Sequence, residues 1–352
     1  MKITIVLFCV LIQASITFSQ SQTTRPRQVE QTPRSNAASQ INPADKSSQK
    51  SDVAAAASDS DVLKIETSLV TIPVSVVDRN NRFVSNLRQQ DFKIFEDGRE
   101  QEVGYFGTTE QPITIALVLD TSPSTELRIN EIQDAAISFV NQLKPSDRVM
   151  VASFDAKVRV LCDPTSDRYR LQKAIRKANF GDGTSLYDAI EKIINRSLSQ
   201  IQGRKAVVLF TDGVDTTSSK TDDLISLQAA EKSDAPFYAV YFNTINDYSR
   251  ISNTSIDDDP AAGRGTTRQE YEFGRRYLAD LTRATGGRVY GTSATRNLDA
   301  AFAAIAEELR RQYVIGFYPA KAGTLGQRRQ IQVRTSLPNV TVQARESYVV
   351  NK

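Results

Sequence analysis

The sequence predicts an α/β fold whose central sheet is doubly wound and mostly parallel, flanked by β segments. Between residues 112 and 312, short apolar blocks typical of buried strands alternate with longer amphipathic stretches typical of helices. The apolar blocks are continuous, as in parallel strands that are covered on both faces. Before this region, short alternating runs are separated by Asn-Asn and Asp-Gly turn signals, and after it short β runs are broken by Gly and Pro, which indicates smaller β units.

The composition is that of a globular protein, and its charge and histidine content exclude several functions. Of 352 residues, 40% are hydrophobic and 24% are charged. The net charge is +3 with no basic run, which excludes a nucleic-acid partner. The absence of histidine excludes a Ser-His-Asp triad and His-ligated zinc, copper or iron sites. Any metal site must therefore hold a hard cation with oxygen ligands.

The first residues indicate export. Residues 3–18 are mostly apolar and follow a single Lys, so we expect residues 1–20 to be a secretory signal peptide. The alternative is an uncleaved membrane anchor, although the stretch is short for a bilayer and Gln13 interrupts it. After cleavage Cys162 has no disulfide partner, and its surroundings predict a strand residue. We expect the mature protein to be periplasmic, on the cell surface or secreted, without a membrane span.

Composition divides the rest of the chain into four parts. Residues 21–60 are rich in Ser, Gln, Ala and Asp and have few large apolar side chains, which predicts a disordered linker. An N-terminal β segment covers 61–110, the α/β domain covers 111–315, and a C-terminal β segment covers 316–352. Neither β segment is large enough to bury its own core. We therefore expect the two to pack as one small sandwich, with the α/β domain inserted between them.

The α/β domain contains six predicted strands and six predicted helices. Continuous apolar blocks predict the strands, and apolar residues three or four positions apart predict the helices. The last helix shows this spacing clearly, and we expect its apolar face of Leu298, Phe302, Ile305 and Leu309 to pack on the sheet. The predicted strands cover 113–120, 148–155, 158–163, 205–212, 237–243 and 288–292, and the helices lie near 127–144, 168–178, 186–202, 222–234, 272–286 and 298–312.

Three loops of the α/β domain are rich in side-chain oxygen. Asp120, Ser122 and Ser124 follow the first strand, Thr184 precedes a helix, and Asp212 closes another strand. Ligands of open α/β sheets bind beyond the carboxyl ends of the strands, where we expect these side chains to meet. Two carboxylates and three hydroxyls suit an octahedral Mg²⁺-like cation. The alternative for the first loop is a helix cap, in which the hydroxyls accept from free N–H groups.

This pattern resembles the metal-ion-dependent adhesion site of von Willebrand factor type A domains, D-x-S-x-S followed by T and then D. The flanks resemble the exported bacterial subgroup described as VWFA-related in acidobacteria. The resemblance implies direct ligation by Ser122 and Ser124 and, in one conformation, by Thr184. It implies that Asp120 and Asp212 act directly or through water. The cation would be Mg²⁺, Ca²⁺ or Mn²⁺, with one position open for an Asp or Glu of a partner.

Other acidic residues show weaker patterns. Asp182 and Asp188 flank the threonine, where turn and helix-surface roles fit better than metal binding. Asp215 follows the last predicted ligand by three residues, a place for a supporting contact. Residues 244–270 resemble a surface insertion, in which the acidic run 257–259 fits a solvated loop better than a second Ca²⁺ site.

The sequence thus predicts a non-enzymatic, cation-dependent protein-binding or adhesion module, exported and tethered by its linker. The expected partner is a protein with an exposed Asp or Glu, although polysaccharide or matrix also fits. One alternative is a structural or assembly component of the envelope with a non-essential metal site. Another is an Mg²⁺-dependent aspartyl-phosphate-type hydrolase with Asp120 as nucleophile. In that chemistry a second acid usually stands two residues later, where this chain has Ser122.

Overall fold

The computed structural model describes residues 69–80, 82–108, 111–242, 244, 267–292 and 298–350. The predicted signal peptide, the predicted linker and the acidic run 257–259 lie outside the described residues. Among the residues described, no helix is both long and apolar enough to cross a membrane.

The α/β domain alternates strands with helices and confirms the predicted fold class. Its sheet has the order β10-β9-β8-β5-β6-β7, and every pair is parallel except β6 with β7. The strands are β5 (Ile113–Asp120), β6 (Arg148–Phe154), β7 (Val158–Thr165), β8 (Arg204–Thr211), β9 (Phe237–Phe242) and β10 (Val289–Thr292). The helices are α1 (Ile129–Gln142), α2 (Arg168–Ile175), α3 (Leu186–Lys192), α4 (Asp223–Lys232), α5 (Arg268–Thr285) and α6 (Leu298–Arg311).

Helices cover both faces of this sheet. Ile115 and Leu117 of β5 pack in one core with α1, α2 and α6, whereas Ala116 and Val118 pack in a second core with α3, α4 and α5. Side chains of a strand alternate between faces, so the middle of β5 is apolar at every position from Ile115 to Leu119. The first core also contains Cys162 of β7 and the whole predicted apolar face of α6, which confirms those two predictions: Leu298, Phe302, Ile305 and Leu309.

Several predicted helices have other boundaries in the structure. α1 begins two residues later than predicted, because the preceding residues Pro123–Arg128 form a 3₁₀ segment. The predicted helix 186–202 is α-helical only as far as Lys192 and continues as a π-helical segment, Ile193–Leu198. Hydrophobic spacing detects a helical face, but it does not distinguish helix types that differ by one residue in their hydrogen bonding.

Helix α5 begins at Arg268, four residues before the predicted start at 272. The cause is a capping box. The hydroxyl of Thr267 accepts a hydrogen bond from the backbone N–H of Glu270, and the carboxylate of Glu270 accepts one from the backbone N–H of Thr267. This cap extends the helix at its amino end, which brings Tyr271 into the first turn.

The flanking segments form two four-stranded sheets around a third core. Their orders are β13-β1-β11-β4 and β14-β12-β2-β3, so each sheet combines strands from before and after the α/β domain. The core between them contains Ile72, Phe92, Ile315 and Phe317. The strands are β1 (Val70–Asp78), β2 (Phe92–Glu96), β3 (Arg99–Gln101), β4 (Tyr105–Thr108), β11 (Tyr313–Phe317), β12 (Arg328–Thr335), β13 (Val340–Gln343) and β14 (Ser347–Val349).

The α/β domain is attached to this sandwich at both of its ends and along one side. The chain leaves the sandwich after β4 and returns at β11, and these strands are antiparallel neighbours with Thr108 opposite Tyr313. Along the side, the buried Arg345 guanidinium donates to the backbone oxygen of Glu231 (2.7 Å), and Arg328 pairs with the Glu231 carboxylate (2.8 Å). These contacts join the tail of the chain to the end of α4.

Candidate functional site

The first loop of the site is the exit of β5. Asp120 is the last residue of this central strand and is completely buried. One carboxylate oxygen, Oδ1, accepts from the backbone N–H of Ser122 (3.0 Å), which closes a tight turn. The other, Oδ2, accepts from the hydroxyl of Thr211 (2.6 Å) at the end of the neighbouring strand β8. Pro123 then opens the 3₁₀ segment, a position where a missing N–H donor costs nothing.

The second loop begins at Asp212, directly after β8. Its Oδ1 accepts from the backbone N–H of Val214 (3.1 Å), and its Oδ2 accepts from the hydroxyl of Ser124 (2.8 Å). The hydroxyls of Ser122 and Ser124 are 3.0 Å apart. Ser124 has one hydrogen and donates it to Asp212, so Ser122 is the donor to Ser124. The exits of β5 and β8 are thereby joined through two hydroxyls and a carboxylate.

The loop of Thr184 lies against both of these exits through backbone contacts. The N–H of Gly181 donates to the oxygen of Thr121 (2.9 Å). The Thr184 oxygen accepts from the backbone N–H groups of Thr216 (2.8 Å) and Thr217 (3.0 Å). Within the described residues, no hydrogen bond joins the Thr184 hydroxyl to the other predicted ligands. The structure therefore links the side chains of Ser122, Ser124 and Asp212 and holds Asp120 against the backbone of Ser122. The loop of Thr184 lies beside them.

The carboxylates of Asp120 and Asp212 are both buried. Burial and, to a smaller degree, the charge of Asp212 raise the pKa of Asp120 to about 7, and burial also raises the pKa of Asp212. Neither forms an ion pair with Lys or Arg in the described ranges. No three Cys, Asp or Glu side chains gather into a metal-binding group in those ranges either. The site thus offers two carboxylates and neutral hydroxyls, a set of hard oxygen ligands.

The weaker acidic candidates support the loops. Asp215 accepts from the backbone N–H of Tyr187 (3.2 Å) and of Ser218 (3.1 Å). Asp188 accepts from the backbone N–H groups of residues 220 and 221, both at 3.1 Å. The backbone oxygen of Asp182 accepts from residue 156 (2.6 Å). The contacts of Asp182 and Asp188 therefore fit the predicted roles in a turn and on a helix surface.

Three residues of the site were missed at the sequence level. Thr211 holds Asp120, Thr244 donates to Asp212 (2.8 Å), and Tyr271 lies 2.8 Å from the Thr244 hydroxyl. Thr244 follows β9, so the rule that drew attention to oxygen-bearing residues after strands would have found it. Tyr271 lies in α5, and no local pattern connects it with the strand exits.

A close backbone approach fixes the loop after Asp212. Gly213 has φ +81°, a conformation that glycine adopts without strain, and Gly274 of α5 packs directly against it. A Cβ atom on Gly274 would lie 2.5 Å from the carbonyl carbon of Gly213. Helix and loop can therefore touch only because both positions lack a side chain.

Residues 115–214 match the family model of the von Willebrand factor type A domain. The α/β domain is a von Willebrand factor type A domain. Such domains typically serve as protein-interaction modules. The matched stretch includes all five predicted ligands, the whole of β8 and all but the first two residues of β5, the strands that carry two of the three loops.

Several known proteins are similar to this chain. A UPF0353 protein of Mycobacterium leprae is 22% identical over 229 residues, which cover 60% of this chain and 64% of the relative, so the match spans less than two thirds of the relative's length. A von Willebrand factor type A structure from Catenulispora acidiphila aligns with a TM-score of 0.46 at 13% identity, over 74% of this chain and 73% of that one. The corresponding domain of the pilus tip protein Mfa5 from Porphyromonas gingivalis aligns with a TM-score of 0.42 at 12% identity, over 56% and 94%.

Cation binding to this site is expected to strengthen as the pH rises. The folded cation-free protein holds a proton on Asp120 up to about pH 7, whereas an unfolded Asp releases it near 3.8. Folding stability without cation therefore falls as the pH rises from about 4 to about 7, and a cation must displace that proton. We expect the apparent Kd for Mg²⁺ to fall about tenfold per pH unit below pH 7 and to level off above it. Mg²⁺ titrations followed by thermal unfolding between pH 5.5 and 8.5 measure this, and a pH-independent Kd would contradict it.

Proposed function

We propose that the protein is an exported, divalent-cation-dependent protein-binding or adhesion module. Its site would be formed by Asp120, Ser122, Ser124, Thr184 and Asp212, and the expected partner carries an exposed Asp or Glu. One observation carries this proposal: two fully buried carboxylates meet hydroxyl groups at one sheet edge with no Lys or Arg paired to them in the described residues. A buried pair of like charges is costly, and a bound cation removes that cost.

The residues present fit a hard divalent cation. Mg²⁺, Mn²⁺ and Ca²⁺ prefer carboxylate and hydroxyl oxygens, and two carboxylates balance a charge of +2. The hydroxyls of Ser122 and Ser124 would ligate through their lone pairs, and Ser124 can keep its donated bond to Asp212 while doing so. Asp120 is tied to Ser122 and Thr211 and would act directly or through water. A bound cation would supply an attachment point for a carboxylate of the partner.

Differences in exposure indicate from which side a partner approaches. Of the five proposed ligands, only Ser124 is half-buried, and the other four are buried. Its neighbour Pro123 is exposed. Phe180 is 51% exposed and precedes the loop of Thr184. A partner carboxylate would therefore reach the site beside Ser124, with an aromatic side chain available for contact on the adjoining loop.

Export is supported by the apolar opening of the sequence, followed by small polar residues at 19–21. Residues 21–60 would then act as a tether, because their composition does not support a packed core. In this arrangement the sandwich connects the tether to the domain that binds the partner.

The burial of Asp120 weighs against the alternative of an Mg²⁺-dependent aspartyl-phosphate-type hydrolase. A nucleophilic carboxylate needs an oxygen that is free to attack, whereas both oxygens of Asp120 accept hydrogen bonds and the residue is fully buried. A structural component with a non-essential metal site is the remaining alternative. It predicts that removal of the cation ligands leaves partner binding and localisation unchanged.

The experiment that tests the proposal is Mn²⁺ binding measured by water-proton relaxation. We expect Mn²⁺ to bind the wild-type protein with at least one exchangeable water, and acetate to displace that water where acetamide does not. Thermal unfolding in parallel should show about 2.7 kcal/mol of stabilisation at a hundredfold excess of cation over Kd.

Two variants complete this experiment. Asp212→Ala should bind no Mn²⁺. The matched control is Asp163→Ala, which removes an exposed carboxylate from β7 and should behave as wild type. Absence of Mn²⁺ binding by the wild-type protein at millimolar concentration would refute the cation-dependent function and favour the structural alternative.

A further inference from the structure

A chain of hydroxyls reaches the site from helix α5, and its direction follows from counting hydrogens. The Thr244 hydroxyl donates to Oδ2 of Asp212 (2.8 Å), and the Thr244 and Tyr271 oxygens are 2.8 Å apart. Thr244 has one hydroxyl hydrogen, which Asp212 receives, so Tyr271 must donate to Thr244. Burial raises the pKa of Tyr271, which keeps this phenol protonated as a donor. The resulting order is Tyr271 to Thr244 to Asp212.

Two series of hydrogen bonds, which we call relays, therefore end at one oxygen atom. One runs from Ser122 through Ser124 to Asp212, and the other runs from Tyr271 through Thr244 to Asp212. Oδ2 of Asp212 accepts one hydrogen bond from Ser124, on the side of the proposed cation ligands, and another from Thr244, on the side of α5. Oδ1 is held by the backbone of Val214. Within the described residues these three groups are the hydrogen-bond donors to this carboxylate, so the loss of one leaves it with fewer partners and freer rotation.

The residues of the relay from α5 are held rigidly. Thr244 is fully buried and Tyr271 is 3% exposed. Tyr271 lies one turn before Gly274, on the same face of α5, and Gly274 is the residue that touches the backbone of Gly213. The helix thus contacts the loop of Asp212 twice, once through backbone and once through hydroxyls.

We propose that Thr244 and Tyr271 are positioning residues that fix the Asp212 carboxylate toward Ser124, so that the serine hydroxyls keep their lone pairs oriented for a cation. This inference rests on the proposed function, because it assigns these two residues a role at the same site. In the described part of the chain no hydrogen bond joins the pair to either serine hydroxyl, so the pair acts through Asp212.

The test compares the affinity for Mg²⁺, measured by calorimetry, among variants of the whole protein. Thr244→Val keeps the shape and removes the hydroxyl, and we expect it to raise the Kd about tenfold. Thr244→Ser retains the hydroxyl and should stay within about threefold of wild type. Tyr271→Phe should weaken binding less than Thr244→Val, because Thr244 can still donate to Asp212. The double variant Thr244→Val with Tyr271→Phe should have the same Kd as Thr244→Val alone, because the loss of the Thr244 hydroxyl already interrupts the relay.

A control variant separates positioning from general destabilisation. Tyr277 lies in the same helix, is buried, and has its hydroxyl 2.7 Å from that of Ser226, away from the site. Tyr277→Phe should lower the thermal stability without cation and leave the Kd unchanged. If Thr244→Val does not fold, Thr244→Ser and Tyr271→Phe carry the test.

The outcomes are distinguishable. A Kd for Thr244→Val and Tyr271→Phe equal to that of the wild type would overturn the positioning role and leave the proposed function intact. If the losses of Mg²⁺ affinity in Thr244→Val and Tyr271→Phe add up in the double variant, the two residues do not act through one relay. A wild-type protein that binds no Mg²⁺ would overturn both the relay and the proposed function.

Discussion

Asp120→Asn is expected to make the cation-free protein more stable and to abolish its response to Mg²⁺. At pH 8 the buried Asp120 carries a charge beside Asp212, and the amide removes that repulsion and the cost of a buried charge. We expect a gain of about 2 kcal/mol, or roughly 5 °C in Tm. At pH 5 the wild-type carboxyl is protonated, and the difference should nearly vanish. Thermal unfolding at both pH values, with and without Mg²⁺, measures all three effects.

A neighbouring aspartate provides the matched control. Asp155 follows β6 at the same edge of the sheet and is also buried, but it forms an ion pair with Arg159. Asp155→Asn should therefore lower the stability at pH 8, because a charge with a partner is lost, and should leave the response to Mg²⁺ in place. A stability loss in Asp120→Asn, or a retained Mg²⁺ response, would show that Asp120 is not an uncompensated charge at a cation site.

Gly274→Ala is expected to cost about 2–3 kcal/mol, although alanine normally favours a helix over glycine. The new methyl group would overlap the backbone of Gly213, which must move, and the Asp212 loop moves with it. Mg²⁺ should therefore stabilise this variant less than wild type at the same concentration. Urea unfolding with and without Mg²⁺ gives both quantities.

Gly291→Ala is the control for this second prediction. Gly291 lies in β10, and a Cβ atom there meets nothing within 4 Å. The variant should remain within about 0.5 kcal/mol of wild type with an unchanged Mg²⁺ response. Equal stability of the two alanine variants would mean that α5 and the loop adapt without strain, and the close approach would have no role in the site.

The fold class was predictable because the apolar pattern of this chain is unambiguous at its centre. β5 is apolar on both faces from Ile115 to Leu119, which requires helices on both sides of a sheet. The boundaries of the helices were harder to predict from the sequence. The early start of α5 depends on Thr267 and Glu270, a capping box that can be read locally, whereas the π-helical segment Ile193–Leu198 depends on packing.

The candidate site was predictable in part for a similar reason. Asp120 and Asp212 follow strands that are neighbours in a parallel sheet, so the rule for strand exits brings them together. Thr244 obeys the same rule but belongs to no short motif. Tyr271 comes 27 positions later in the chain than Thr244, and only the packing of α5 on the loop reveals their contact. The cation itself stays a prediction.

The insertion of the domain between β4 and β11 determines how the sandwich would respond to a pulling force. A pull between residue 69 and the α/β domain acts on β1 at Val70 and on β11 at Tyr313, which lie at opposite ends of an antiparallel pair. Hydrogen bonds in such a pair run across the strands, so this pull shears them together and does not open them one after another. β4, also loaded at its Thr108 end, shares the force through β11. A partner held at the carboxyl edge of the central sheet would thus be anchored through the mechanically stronger geometry of a β sheet.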